Sequence, residues 1–259
     1  MKKFWRLLIF LLFAGSAIAG WHFRAPLTDL YHEHFSEQQS GPDSPRPDPE
    51  RYQELTAQLE KQRTSLAARY KRAKSANEIS AIIEESQLLL DTTLPQLMRC
   101  WLGTPWDFNG TCSTPGSGKI ACGYFVSTIL QDAGFSVQRY KLAQQPSQRI
   151  IGTFLPKSKM KVSAGLNYES FIAQTKARGP GIYIVGLDSH VGFIVVPKSG
   201  EIRYLHSSGS HPYCVVDEDE PNAGSLQRSN YRVTGNITHN PDVIDGWLTQ
   251  KRWPTKLKN

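Results

Sequence analysis

The chain has 259 residues, of which 39% are hydrophobic and 20% charged, and its formal net charge is +7. This is the composition of a soluble globular protein with enough chain for one good core or two small ones, and it excludes a collagen, a coiled-coil rod and a globally disordered polymer. The basic residues are scattered without a basic–aromatic stripe, so nucleic acid is not an expected partner. A mild positive excess suits peripheral contact with an anionic wall or membrane surface.

In chain order, Lys2, Lys3 and Arg6 precede the apolar run Leu7–Phe13, and Ala17-Ile18-Ala19 offers a small-x-small cleavage site. The pattern reads as a secretory signal peptide over residues 1–19, because the apolar run is too short to span a bilayer comfortably. Residues 20–48 combine aromatic and histidine residues with Pro42, Pro45 and Pro47. They read as an extended, proline-rich arm or linker. His22, His32 and His34 fit an exposed tract better than a metal site.

Residues 49–98 predict a helical hairpin. Asp48 is the expected N-cap, followed by Pro49 in the first turn. Tyr52, Leu55, Leu59, Leu66 and Tyr70 recur near the helical period, Ser75–Asn77 breaks the run, and Ile79, Ile82, Ile83, Leu88 and Leu90 form a second stripe. From residue 99 to 259 glycine, aromatic and β-branched residues dominate. Strands are expected at 182–185, 190–196, 201–206, near 213–216 and near 231–233, with a helical turn at 242–248.

Four cysteines are present: Cys100, Cys112, Cys122 and Cys214. An exported chain can form disulfides, and Cys100 with Cys112 is the sequence-local pair if one cysteine stays free. No C-x-x-C or C-x-x-H spacing points to structural zinc, and no cofactor or metal is expected.

Cys122 carries the chemistry. It follows the glycine-rich Thr114–Lys119 and opens an amphipathic helix over about 122–133, with Phe125, Val126, Ile129, Leu130 and Ala133 on the apolar face and Gly134 as the stop. A helix N-terminus favours a thiolate, and an imidazolium beside it would do the same. His190, at the head of a buried-looking strand, is the candidate general base, and Gly192 two residues on leaves room for a substrate backbone. His206 is the candidate orienting residue. It shares a face with His190 only if the intervening hairpin loop has an odd number of residues, as Lys198-Ser199-Gly200 provides; an even loop would present Ser207 instead.

Together, Gly103-Thr104-Pro105-Trp106, Ala121-Cys122-Gly123-Tyr124-Phe125-Val126, Pro180-Gly181-Ile182-Tyr183, His190-Val191-Gly192-Phe193-Ile194 and Leu205-His206 resemble the motif order of NlpC-type cell-wall cysteine peptidases, a papain-like superfamily. The resemblance covers about residues 95–210. It implies an α+β domain with a central antiparallel sheet and the nucleophile at a helix N-terminus, here preceded by the helical hairpin. It implies Cys122 as nucleophile, His190 as base and His206 as third polar residue. Trp106 falls where the family carries an oxyanion-side tyrosine, and Trp106, Gly123 and Gly192 would form the oxyanion and substrate rim. Ala121 stands where the family usually has an aspartate. The implied activity is hydrolysis of an amide bond in peptidoglycan stem peptides, by an exported bacterial protein in the periplasm or outside the cell. An acyl or amide transferase on the same scaffold, a catalytically inactive binding module at the wall, and a metal protein using Cys122, His190 and His206 are the alternative readings.

Overall fold

The computed structural model describes residues 45–198 and 201–255. The signal peptide read over 1–19, the arm from residue 20 to 44, and His22, His32 and His34 lie outside the described residues. From Arg46 onward the chain forms one compact unit.

The helical hairpin is formed by α1 (Pro49–Arg72) and α2 (Ala76–Arg99). The Asp48 carboxylate accepts from the Arg51 N–H at 2.9 Å, satisfying one of the donors that a helix start leaves open. Ser75 and Glu78 form a reciprocal capping box that starts α2. The buried stripe of α1 includes Tyr52, Leu55, Leu59 and Leu66, as its periodicity requires. On α2 the stripe instead runs Ile82, Ser86, Leu90, Leu94 and Leu97. Leu88 is 59% exposed, because it stands two residues from both Ser86 and Leu90 and so on the far side of the helix. Leu59, Leu90, Trp101, Phe125 and Phe193 belong to one apolar core. The expected 98/99 boundary thus falls in the last turn of α2 and within one continuous core.

Beyond the hairpin come α3 (Cys122–Asp132), α4 (Arg139–Ala143), α5 (Ser147–Phe154), β1 (Lys161–Ala164), α6 (Tyr168–Ala177), β2 (Gly181–Gly186), β3 (Val191–Val196), β4 (Arg203–Ser207), β5 (Val215–Asp219), α7 (Gly224–Arg228), β6 (Tyr231–Asn236) and α8 (Pro241–Leu248). The fold is mixed α+β, with a central six-stranded sheet in the order β1-β6-β2-β3-β4-β5, flanked by helices. Every neighbouring pair is antiparallel. Alternation along the strands sends Ile182, Ile184 and Phe193 into the core under α3, and Tyr183, Val185 and Ile194 into a second core with Phe171 and Leu226. The sequence did not announce β1, α4, α5, α6 or α7. β1 is a four-residue edge strand whose Val162 is 46% exposed, too short and too open to show an alternating pattern.

All four cysteines are free thiols, so the Cys100–Cys112 bridge is not formed. Among the described residues no helix is long and apolar enough to cross a membrane.

Candidate active site

The residues 105–121 form a narrow hairpin that delivers the chain to α3. Thr111 bridges to Ile120, and the Cys112 N–H donates to the Lys119 carbonyl at 3.1 Å. Gly116 turns the tip at φ +71°, and a side chain at Gly110 would meet the backbone of Lys119 and Ile120 at 2.6–2.7 Å. Arg139, only 6% exposed, clamps this hairpin to α3. Its guanidinium donates to the Thr111 and Cys112 carbonyls at 2.9 and 2.6 Å and to Thr128 Oγ1 at 2.6 Å. Ser207 Oγ donates to the Ile120 carbonyl at 2.7 Å, which fixes the approach to Cys122 against β4.

Cys122 is the first residue of α3, and no side chain caps that helix. The backbone N–H groups of Val191, Gly123 and Cys122 itself face the sulfur and favour its ionised form. Burial acts more strongly in the opposite direction and holds the thiol above its ordinary range. Burial likewise pushes Cys100 and Cys214 up to about 11. What distinguishes Cys122 from these two is its partial exposure and its three backbone donors. A helix-stabilised thiolate paired with an imidazolium is thus not the resting form.

His190 lies one residue ahead of β3, in the turn that the Leu187 N–H closes onto the His190 carbonyl at 2.8 Å. Phe193 faces Leu205 and Val195 faces Arg203, a register symmetric about position 199. The odd-loop condition is therefore met, and His190 and His206 share a face. Their rings meet at 4.8 Å between centroids, edge to face, with His190 Nε2 2.7 Å from His206 Nδ1. Ser207 and Ser208 are turned elsewhere, to the Ile120 and Ser210 carbonyls. Burial first, and then the charge of His206, lowers His190 to about 3, while burial lowers His206 to about 3. Both rings are neutral near pH 7.

His206 is 1% exposed and is engaged on three sides. Tyr204 stacks on it at 4.1 Å with 19° between planes. Its Nε2 lies 3.1 Å from Glu218 Oε2. Val216 is its register partner across β4–β5, while Glu218 faces Tyr204 and so sits diagonally on the same face. Nothing in the sequence marks Glu218 among its acidic neighbours Asp217, Asp219 and Glu220; only the strand register singles it out.

Gly192 does not open space for a substrate. A Cβ there would lie 2.8 Å from His206 Cβ and 3.1 Å from the Leu205 carbonyl oxygen, so the room it leaves is filled by β4. Gly192→Ala is expected to cost about 1–3 kcal/mol through overpacking and to displace His206 from His190. Urea unfolding measures the first effect and the histidine NMR resonances the second. Gly123 lines the cleft, and its missing side chain admits the Ala143 carbonyl against α3.

Cys122, Gly123, His190, His206 and Trp106 line one cleft of about 1040 Å³. α3 packs on one face of the sheet and both histidines project from the other. They converge where β3 begins and β4 ends. No hydrogen bond joins the Cys122 thiol to either histidine among the described residues; the link is the Val191 N–H, one residue from His190. Trp106 lies across Gly209, 2.9 Å from where a Cβ would stand, and its backbone N–H donates to the Tyr213 carbonyl at 2.7 Å. Phe108, 79% exposed, forms the outer lip. Asp188 is anchored opposite, accepting from Ser229 Oγ at 2.7 Å and the Asn230 N–H at 2.9 Å, contacts that hold its carboxyl below the ordinary range. Among the described residues no group of three or more His, Cys, Asp and Glu is arranged to hold a metal ion.

No protein-family model, curated protein or solved structure matches this chain.

Proposed function

We propose that the protein is an exported cysteine amidohydrolase of NlpC-type, papain-like arrangement that cleaves an amide bond, with peptidoglycan stem peptides as the substrate class. The observation that carries the reading is the convergence on one cleft of an uncapped helix start bearing Cys122 and a hydrogen-bonded His190–His206 pair. A cleft of about 1040 Å³ has room for a peptide segment as well as for a small molecule.

In this reading His190 removes the Cys122 proton as the sulfur attacks the substrate carbonyl carbon, since both groups rest neutral. The C–S bond forms, and the carbonyl electron pair moves to oxygen, where backbone N–H groups at the start of α3 meet it. The C–N bond then breaks as the imidazolium returns its proton to the amine. Water, deprotonated by His190, hydrolyses the thioester and frees Cys122. Trp106 and Phe108 border the substrate channel.

A thiol-reactive probe on the folded, reduced chain tests the reading. Cys122 is expected to label ahead of Cys100 and Cys214, which are buried, and labelling should climb towards alkaline pH because burial raises the thiol. His190→Ala should slow labelling at pH 7–8. Labelling that ignores His190 would favour the second reading, a non-catalytic binding module. That reading draws on the neutral resting thiol and the missing Cys122–His190 hydrogen bond. Product analysis with added amine acceptors separates hydrolase from transferase.

A further inference from the structure

The His190–His206 contact continues to a third group. His190 Nε2 is 2.7 Å from His206 Nδ1, and His206 Nε2 is 3.1 Å from a Glu218 oxygen. Each neutral imidazole carries one proton on one of its two nitrogens, and an ionised carboxylate can only accept. Those two facts leave a single arrangement. With Glu218 ionised, His206 must place its proton on Nε2, which makes His206 Nδ1 an acceptor. His190 must then be the donor across the 2.7 Å contact, with its proton on Nε2. The lone pair of His190 is thereby left on Nδ1, the nitrogen that His206 does not engage. Packing holds the relay in place: His206 is 1% exposed, stacked on Tyr204 and backed onto Gly192.

We propose that Glu218 is a positioning residue that acts through His206 to fix which nitrogen of His190 carries the proton, and so which nitrogen is free to act as base. The tautomer assignment stands on this geometry with Glu218 ionised. Its catalytic meaning rests on the reading of Cys122 and His190 as the reacting pair.

The arrangement is sensitive to pH. A protonated Glu218 can either donate to His206 Nε2 or accept from it, so the constraint disappears. The groups facing Glu218 are His206 and Tyr204 of β4, Arg228 of α7, Tyr168 of α6 and the adjacent Asp219. Burial raises the Glu218 carboxyl to about 7, with Arg228 opposing and Asp219 reinforcing the shift. The constraint is therefore present above about pH 7 and is lost as pH falls through that value. Both histidines stay neutral across this window, because burial holds them near 3.

Long-range 1H–15N correlation spectra of the 15N-histidine-labelled full chain read each tautomer directly. At pH 8 the wild type is expected to give pyrrole-type Nε2 and pyridine-type Nδ1 signals for both His190 and His206. That single pattern should give way to a mixture as pH falls through about 7. Glu218→Gln keeps the shape of the side chain but can both donate and accept, so it should show the mixture already at pH 8. Glu218→Ala should do the same, and signal dispersion in each spectrum reports folding. A His190 proton on Nδ1 in the wild type at pH 8, or a wild-type pattern in both variants, would overturn the assignment. If the tautomer pattern behaves as expected while Cys122 labelling ignores His190→Ala, the Glu218 assignment stands and the proposed hydrolase reaction fails.

Discussion

The substitution His190→Ala is expected to slow amide hydrolysis by about 10²- to 10⁴-fold, the range a positioned general base contributes. The size of the effect follows from the resting state. Burial keeps the Cys122 thiol above its ordinary range, so little thiolate exists at neutral pH without a base to take the proton. His190 is the ring that lines the cleft beside the Val191 N–H facing the sulfur, and its neutral form has a lone pair to offer. Folding should be retained at a cost of about 1–3 kcal/mol, because the turn ahead of β3 is held by the His190 carbonyl while loss of the ring leaves the buried His206 Nδ1 without its partner. Cleavage of purified wall peptides followed by mass spectrometry, with Tm measured in parallel, separates the two effects. Cys122→Ala should abolish turnover in the same assay. Activity within tenfold of wild type in either variant would sink the proposed mechanism.

Arg232→Met is expected to destabilise the fold by about 3–5 kcal/mol, a large share of the stability of an ordinary domain. Arg232 is 1% exposed on β6, and its guanidinium donates to the Leu226, Leu166 and Gln227 carbonyls at 2.8–2.9 Å. It also lies over the Phe171 ring at 5.0 Å. Burial lowers its pKa, the signature of a charge taken out of water. Methionine keeps the apolar stem but orphans three acceptors in the second core. Arg232→Lys should fare little better, because a single ammonium cannot reproduce a planar fork aimed at three carbonyls. Urea unfolding measures both variants. A loss below about 1 kcal/mol for Arg232→Met would show that water or rearranged donors replace the guanidinium. Arg232 also pins the last turn of α7, the helix that brings Ser225 and Arg228 to the cleft, so its loss should reach the site as well.

Much of the architecture is written in local signals. The Asp48 cap, the Ser75–Glu78 capping box and the Gly134 stop place three helix boundaries, because capping chemistry is settled within a few residues. The apolar runs of β2 and β3 are legible for the same reason, being buried on both sides. Local signals fail where a neighbour decides the outcome. Leu88 points to solvent although it resembles its buried neighbours, and β1 exists only because β6 offers it an edge.

The site divides in the same way. Sequence periodicity alone shows that Cys122 opens a helix, that a strand follows directly on His190 and that an odd hairpin loop would put His206 beside it, since each follows from the fixed periods of helix and strand. Tertiary structure alone decided three further things. The space before Gly192 belongs to His206 and not to a ligand, because β4 closes over it. The thiol rests protonated, because the burial that builds the cleft outweighs the backbone donors at the helix start. And one carboxylate of an acidic run, Glu218, reaches His206, because the β4–β5 register is set by packing between residues distant in the chain. Burial and cross-strand register are properties of the assembled sheet, so no window of sequence around Cys122 contains them.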